Sequence, residues 1–577
     1  MPYRLNAQIK PFGDPGRPSS ILDVAAVVLV LTIIVLLGLA AHQMVAPLTL
    51  ARAPRISLSP AALPLYTLRT VTRMLGALVA SLIFTLTYAT WAAKSRRAEM
   101  VLIPLLDTLQ SVPVLGYLSF TVVFFVSLFP KSALGPELAS IFAIFTAQAW
   151  NMAFSFYQSL RTVPTDLDEA SRSLCATAWQ RFWRLEVPFA MPGLIWNTMM
   201  SMSGSWFFVV ASEAIAVGST QIALPGVGSY VARAIEARDL AAIGWAILAM
   251  SLAIALYDQL LFRPLVAWAD KFRVEQSAAQ IQPHSWLLTL LRRSSWIGIL
   301  AAPVARALAR LARARLALPR SVPIISALPA WLLDLAWYGC IAILLSYAGW
   351  RLVHFAGPVL TLADLRTVST DGALTLLRVV VLIVLASVVW VPLGVLIGLS
   401  PRLTQQLQPI AQFLAAFPAN LLFPLVVFLI VHYRLAPEIW LSPLMILGTQ
   451  WYILFNVIAG ASAFPSDLRE SAASLRLHRW RRWRDVLLPG IFPYYVTGAI
   501  TASGGAWNAS IVSEAVSWGD TRLATPGLGA YIAEHTAAGD YARIALGVAM
   551  MSVLVVLMNR TIWRPLYTFA ARRTRLD

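Results

Sequence analysis

The stretch Asp166–Pro188, DLDEASRSLCATAWQRFWRLEVP, is a polar segment that separates two long apolar runs. A second copy, DLRESAASLRLHRWRRWRDVLLP, occupies Asp467–Pro489, so the two copies lie 301 residues apart (467 minus 166). The surrounding sequence repeats as well, which shows that the chain is one module in two copies. The pairs at the same offset include Trp150/Trp451, Gly204/Gly505, Trp206/Trp507, Glu213/Glu514 and Arg263/Arg564, and at an upstream offset of 305 they include Arg73/Arg378 and Pro113/Pro418.

The composition is that of a membrane protein. Of the 577 residues, 59% are hydrophobic and 12% are charged, and the mean hydropathy is +0.71. Soluble domains carry about 25% charged residues, and an apolar helix needs about 20 residues to cross a bilayer. We expect about twelve spans, six in each half, near 21–42, 70–92, 112–129, 137–158, 192–215, 241–262, 330–350, 376–399, 419–433, 440–461, 495–517 and 542–562.

This pattern predicts an all-α polytopic membrane protein with about twelve transmembrane helices in two parallel six-helix repeats. Parallel repeats are related by an axis along the membrane normal, with the substrate site near the repeat interface. The predicted parts are a cytoplasmic N-terminal tail at 1–20, a first module at 21–269 with its polar loop at 164–188, a basic cytoplasmic linker at 270–329, a second module at 330–565 with its polar loop at 465–489, and a basic cytoplasmic tail at 566–577.

The net charge of +18 reflects sidedness and does not require a nucleic-acid partner. If both termini are cytoplasmic, most of the 45 Lys and Arg residues face the cytoplasm, as the positive-inside rule expects. In the linker, 286–300 and 303–318 have the pattern of interfacial amphipathic helices, the second with Arg306, Arg310 and Arg313 on one face. We expect the linker to rest on the headgroups of the lipid bilayer; a regulatory or docking role is the alternative.

Motifs for chemistry within the chain are missing from the sequence. No G-x-x-x-x-G-K-[ST] phosphate-binding loop occurs. The six histidines are scattered, and Cys175 and Cys340 are far apart, so we expect neither a metal site nor a disulfide framework. We therefore predict no catalytic residue, no metal and no cofactor bound by this chain.

The doubled polar loop resembles the coupling loop of binding-protein-dependent ABC importer permeases. That family's pattern is Glu-Ala-Ala, three residues, Gly, nine residues and Ile-x-Leu-Pro. Both copies keep this spacing, and both depart from the pattern at the glycine, which is Cys175 in one copy and Arg476 in the other. The resemblance assigns ATPase coupling to Asp168, Glu169, Ala170, Ser171, Cys175 and Pro188, and to Arg469, Glu470, Ser471, Ala472, Arg476 and Pro489.

The flanking motifs look most like the nitrate/sulfonate/taurine/bicarbonate branch of that family. They are Pro-Gly-x-Gly-x-Tyr, Ser-Glu-Ala at the end of the fifth span and Arg-Pro-Leu after the sixth. The resemblance implies a fused permease with the ABC importer permease fold in the bacterial plasma (inner) membrane, importing a small anion such as nitrate, sulfonate or bicarbonate. It also implies two separate ABC ATPase subunits that carry the ATP and Mg, and in many relatives a periplasmic or lipoprotein substrate-binding protein.

Charged residues recur at matching depths near the outer ends of spans in both halves. Arg73 and Glu213 occupy such positions in the first half, and Arg378 and Glu514 occupy them in the second. We predict that they form two ion pairs or an outer gate. The alternative is snorkelling arginines and helix-end glutamates.

Polar side chains also lie deeper in the fifth and eleventh spans. Their hydroxyl, amide and indole groups are able to hydrate a small oxyanion without a buried counter-charge, so we predict that they line the substrate pathway. The alternative is helix packing by small residues. These residues are Ser203, Trp206, Trp507, Asn508 and Ser510.

Three other functions stay open at this stage. An ion-coupled secondary transporter with six-plus-six repeats would place carboxylates or histidines at the midplane, whereas the acids found here lie near span ends. An ABC permease for a cation, metal or vitamin would keep the mechanism and change the cargo. A non-transporting scaffold is disfavoured by the polar fifth spans.

Overall fold

The structure is a computed structural model, and it describes residues 21–44, 56–130, 132–174, 177–217, 220–272, 285–315, 330–462, 464, 466–475 and 479–573. Within these ranges the chain is helical apart from connecting turns and two short hairpins. The helices of the first module are α1 Ile21–Met44, α2 Leu63–Phe84, α3 Thr90–Lys94, α4 Arg96–Ser111, α5 Val114–Leu128, α6 Leu134–Arg161, α7 Thr165–Ser173, α8 Ala178–Arg181, α9 Val187–Glu213, α10 Val227–Glu236, α11 Leu240–Tyr257 and α12 Arg263–Ala269.

The linker contributes two helices, α13 Trp286–Arg293 and α14 Ser295–Arg313. The second module repeats the plan of the first. Its helices are α15 Ala330–Ala356, α16 Leu362–Gly398, α17 Pro401–Ala416, α18 Phe423–Tyr433, α19 Pro437–Trp440, α20 Leu444–Leu447, α21 Gln450–Ser462, α22 Ser466–Ser474, α23 Arg479–Arg482, α24 Leu488–Ser513, α25 Leu528–Ala538, α26 Tyr541–Met558 and α27 Arg564–Arg573.

Nine of the described helices are long and apolar enough to cross a membrane, or twelve if each of three bent helix pairs counts as one span. The predicted all-α fold with about twelve spans is confirmed at this level, with two differences of assignment. The linker helix α14 passes the test, and α9, at the predicted fifth span, does not, because serines, Asn197 and Thr198 interrupt its apolar sequence. The predicted tenth span at 440–461 is bent by 42° between Pro437–Leu447 and Gln450–Ser462.

Proline positions explain four irregular turns that repeat between the modules. A proline has no N–H to donate to the carbonyl four residues earlier, so the regular hydrogen-bond ladder is interrupted before it. In each case a five-residue π-helical turn ends two residues before the proline. These turns are Phe182–Glu186 before Pro188, Asp258–Phe262 before Pro264, Trp483–Leu487 before Pro489 and Asn559–Trp563 before Pro565.

The third span of each module packs into the hydrophobic core of the other module. Val114, Leu118 and Val122 of α5 are buried in a core that otherwise consists mainly of second-module side chains. In return, Phe423 and Val427 of α18 are buried in the core of the first module. Each module therefore contributes side chains to the hydrophobic core of the other.

Two β-hairpins stand at the outer ends of the fifth and eleventh spans. The first pairs Ala214–Val217 with Thr220–Ala223, and the second pairs Ala515–Trp518 with Thr521–Ala524, both antiparallel. In the second hairpin Gly519 has φ 58°, the left-handed conformation that two-residue hairpin turns require. The predicted fifth and eleventh spans, 192–215 and 495–517, extend into the first strands of these hairpins, and the hairpins were not predicted, although β-branched residues around Gly-Ser or Gly-Asp are a hairpin signal.

Candidate transport pathway and coupling loops

A cavity of about 80 Å³ lies where the two modules meet. A buried water needs roughly 10–15 Å³ measured in this way, so the space fits a molecule of a few non-hydrogen atoms. None of the side chains that line it is charged. The lining residues are Ser203, Gly204, Phe207, Phe208, Ala415, Phe417, Ala419, Phe423, Leu444, Met445, Gly448, Thr449, Tyr452, Gly505, Asn508 and Ala509.

Two of the five predicted pathway residues, Ser203 and Asn508, line this cavity, one from each module. The other three, Trp206, Trp507 and Ser510, are buried and do not line it. Their helical positions turn them towards neighbouring helices; Trp206, for example, packs edge-on against Tyr257. The surroundings of these three residues are those of side chains that pack between helices.

The cavity also contains a polar group that the sequence analysis missed. Thr449 is one of the lining residues, and its buried Oγ1 has no hydrogen-bond partner in the described part of the chain. A buried hydroxyl without a partner costs free energy, so this group is available to a small polar ligand. Thr449 lies within the predicted tenth span, at the bend between Leu447 and Gln450, and nothing in its sequence surroundings distinguished it.

Hydrogen bonds across the module interface hold the cavity walls. The N–H of Val114, at the start of α5, donates to Oδ1 of Asn508 at 2.8 Å. In the other module Nδ2 of Asn420 donates to the carbonyl of Phe207 at 3.1 Å. Each third span is thus tied to the cavity-lining helix of the opposite module.

Near the outer end of the first module, Arg73 and Glu213 form a buried ion pair with 2.5 Å between Nη1 and Oε1. The guanidinium also binds both carboxylate oxygens of Glu137, at 2.6 and 2.8 Å. The hydroxyl of Thr70 donates to Glu213 at 2.7 Å. Arg73 and Glu213 are fully buried, so burial of these charges depends on mutual pairing.

The second module has the equivalent ion pair, but its arginine contacts one carboxylate and is less buried. Arg378 Nη1 lies 3.0 Å from Glu514 Oε1, and the hydroxyl of Thr375 donates to the same oxygen at 2.8 Å. The Arg378 side chain is 16% exposed, whereas that of Arg73 is 0% exposed. Both predicted pairs are therefore present, and their use as an outer gate stays a prediction.

The two glutamates also explain the Pro-Gly-x-Gly motifs. In the first module, Glu213 Oε2 accepts the N–H of Gly228 at 2.7 Å, which places a carboxylate at the positive N-terminus of α10. A Cβ on Gly226 would lie 2.3 Å from the Glu213 carboxylate, and one on Gly228 would lie 2.1 Å from the carbonyl oxygen of Val210. Only glycine allows this close approach. Gly527 and Gly529 make the equivalent approaches to Glu514 and Ser510.

Sequence reasoning missed Thr70, Thr375 and Glu137. The two threonines had a detectable signal, because each lies three residues before the arginine and the pair keeps the 305-residue offset. Glu137 had none. Its repeat partner, Glu438, lies in the short helix α19 and has no ion pair with Arg378 among the described contacts.

The two polar loops contain helices in the same register. Helices α7 and α22 are each nine residues long and are 301 residues apart. Glu169, Ala170, Glu470 and Ser471 are exposed. Asp168 is instead drawn into pairs with Arg172 at 2.8 Å and Arg181 at 3.7 Å.

The remaining predicted coupling residues are less uniform. Ser171 donates to the Asp168 carbonyl at 2.7 Å, Ala472 is buried, and Pro188 and Pro489 lie at the entrance to the fifth and eleventh spans. Arg469 lies within α22. Cys175 and Arg476, at the position where the resembling family has glycine, lie outside the described residues.

Each of the loop helices α7 and α22 is followed by an exposed leucine. Leu174 is 75% exposed and Leu475 is 73% exposed, again at the same offset. Both lie in polar loops outside the lipid-spanning helices, so lipid does not account for their exposure. Single exposed apolar side chains are common on protein surfaces; these two differ in that the repeat places them at the same position in both loops.

The comparisons with known proteins agree with this geometry. Residues 81–263 and 390–562, more than half of the chain, match the family described as binding-protein-dependent transport system inner membrane component. The nitrate import permease protein NrtB of Leptolyngbya laminosa is 28% identical over 187 residues, 32% of this chain and 63% of that protein. The bicarbonate transport system permease protein CmpB of Synechocystis sp. is 28% identical over 178 residues, 31% of this chain and 60% of that protein.

A third relative is the glycine betaine/proline betaine transport system permease protein ProW of Escherichia coli, 30% identical over 160 residues, 28% of this chain and 43% of that protein. The chain thus spans less than two thirds of the length of each of these relatives. No solved structure matches the chain. One family match falls in each module, and the chain belongs to the family of inner membrane components of binding-protein-dependent transport systems.

Proposed function

We propose that this chain is the membrane-spanning permease of an ATP-driven importer, that both modules together form its substrate pathway, and that α7 and α22 couple it to two separate ATPase subunits. The observation that carries this proposal is the pair of nine-residue helices at equivalent positions in the two polar loops, each followed by an exposed leucine. The family membership supports the same reading. ATP and Mg then belong to the partner subunits.

For the cargo, the similarity to nitrate and bicarbonate permeases supports a small anion. The cavity has a suitable size, and its hydroxyl and amide groups are neutral. Transport requires that a bound ion can also leave its site. Neutral hydrogen-bond donors bind an anion less tightly than a buried positive charge would, so they allow its release. A substrate-binding protein on the outer side would then supply the affinity.

A quaternary ammonium compound is the second candidate. Aromatic rings of Phe207, Phe208, Phe417, Phe423 and Tyr452 line the cavity, and such rings attract quaternary ammonium groups. Uptake into proteoliposomes distinguishes the candidates. Labelled nitrate or bicarbonate should enter, and excess glycine betaine should not compete; competition by glycine betaine would favour the second candidate.

Docking is tested by Leu174→Asp combined with Leu475→Asp. We expect this variant to lose the co-purifying ATPase, because charged side chains replace the two apolar contacts, while the amount of folded permease stays unchanged. Leu403→Asp, at an exposed position near the start of α17, is the matched control and should retain the ATPase. Full ATPase recovery with the double variant would contradict the coupling role of these loops.

A further inference from the structure

The linker helix α14 is attached at both ends to the same side of the molecule. At its N-terminal end, the N–H and hydroxyl of Ser295 donate to Asp23 Oδ1 at 2.6 and 3.2 Å. At its C-terminal end, the carbonyls of Leu311 and Arg313 accept hydrogen bonds from Trp179 Nε1 and Gln180 Nε2, each at 2.7 Å.

These anchor points lie on the coupling-loop side. Trp179 and Gln180 belong to α8, which follows the coupling helix α7. Asp23 lies at the start of α1, and α1 and α2 cross in opposite directions, so Asp23 is on the inner side, where the second span ends. The inner end of the second span contacts the same polar loop, because Lys94 pairs with Glu186 at 2.8 Å. A 19-residue helix is about 28 Å long, but with both ends on one side it does not cross the bilayer. It lies along the surface.

The surface of α14 divides into three faces. Gly298, Ala301, Ala305, Ala309 and Ala312 recur at three- and four-residue spacing, and they are buried or half-buried against the protein. A wide apolar face is exposed. Its members include Leu300, Val304, Leu308 and Leu311, with exposed fractions of 63%, 60%, 61% and 50%.

The third face of α14 is basic. Arg306, Arg310 and Arg313 are exposed and lie roughly 140° around the helix from the centre of the apolar face, at about 100° per residue. The sequence 285–315 contains no Asp or Glu. An exposed apolar face beside an all-basic face is the pattern of a helix that lies in the interface of an anionic membrane.

We propose that α14 seats on anionic lipid headgroups of the bilayer surface on the coupling-loop side and, through Trp179 and Gln180, holds the first coupling loop in a lipid-dependent position. The second loop has no such connection in the described part of the chain, since Trp480, at the position equivalent to Trp179, is 71% exposed. Lipid control is therefore restricted to one of the two coupling loops. This second half of the inference rests on the proposed function.

The location of the helix is tested without reference to transport. In a chain with Cys175→Ser and Cys340→Ser, a spin label is attached to Leu308→Cys or, separately, to Ala309→Cys. The full-length protein is placed in vesicles of phosphatidylcholine and phosphatidylglycerol. We expect the label at 308 to be relaxed by oxygen and protected from a water-soluble nickel chelate, and the label at 309 to be protected from both. Strong relaxation at 308 by the nickel chelate would overturn the lipid seat.

The lipid dependence is tested on the permease with its ATPase. Phosphatidylglycerol added to phosphatidylcholine vesicles should raise ATP hydrolysis severalfold. The combination Arg306→Gln, Arg310→Gln and Arg313→Gln should abolish this increase. A control combination, Arg402→Gln, Arg560→Gln and Arg564→Gln, removes equal charge from exposed sites outside the linker and should keep the increase.

An unchanged lipid response in the linker variant would refute the proposal. Loss of ATPase binding by that variant in lipid-free detergent would also refute it, because the arginines would then contact the ATPase. Trp179→Phe removes the indole N–H and keeps an aromatic ring, although a smaller one; it should weaken the lipid response and leave the depth of the label at 308 unchanged. If no ATPase associates with any variant, the proposed function fails, while the spin-label result still decides where α14 lies.

Discussion

Replacement of Arg73 by Gln should destabilise the protein far more than replacement of its repeat partner Arg378. Without Arg73, the carboxylates of Glu213 and Glu137 remain buried without the guanidinium that bridges them. Removing one partner of a buried pair costs about 3–5 kcal/mol. Arg378 is partly exposed and pairs with one carboxylate, Glu514, which keeps other donors. There we expect about 1–2 kcal/mol after allowance for solvent screening.

The measurement is the half-life of the monodisperse protein in detergent at one elevated temperature, followed by size-exclusion chromatography. Because about 1.4 kcal/mol corresponds to a factor of ten, Arg73→Gln should shorten the half-life about a hundredfold or more, and Arg378→Gln about tenfold. These factors assume that the pairs are broken in the transition state for unfolding. Equal half-lives for the two variants would show that neither the deeper burial of Arg73 nor its second partner, Glu137, increases the contribution of this pair to stability.

Two further predictions concern the cavity and the glycine motifs. Thr449→Val removes a buried hydroxyl that has no protein partner, so it should lower uptake while leaving the half-life equal or longer. Proteoliposome uptake and the detergent half-life together test this prediction. Unchanged uptake would argue against a role of Thr449 in the pathway. Gly226→Ala should shorten the half-life, since its Cβ would lie 2.3 Å from Glu213, and overpacking costs about 1–3 kcal/mol. Gly244→Ala, whose Cβ meets nothing within 4 Å, should not shorten it.

Features encoded by local pattern and by the repeat could be predicted from the sequence. The equal register of the loop helices α7 and α22 and the contacts of Arg73 and Arg378 with their glutamates follow from the matched positions in the two copies. In a repeated sequence, a pattern that occurs at the same position in both copies is seldom a coincidence.

Features that depend on long-range packing could not be predicted. Glu137 reaches Arg73 across 64 residues, and the carbonyl of Leu311 in the linker accepts a hydrogen bond from Trp179 across 132 residues. Neither contact leaves a periodicity in the sequence. The positions of the tryptophans depend on packing in the same way: composition places Trp206 in a polar span, but only the helix packing decides which face of that span meets the cavity.

The packing of each third span into the other module has a consequence for synthesis of the chain. The hydrophobic core around Met202 and Val209 includes Phe423 and Val427, so it stays incomplete until the ribosome has passed well into the second half. Until then the first six spans have a gap that lipid or a helper protein must occupy. Expressed alone, the first half should therefore be recovered poorly, and co-expression with the second half should rescue it.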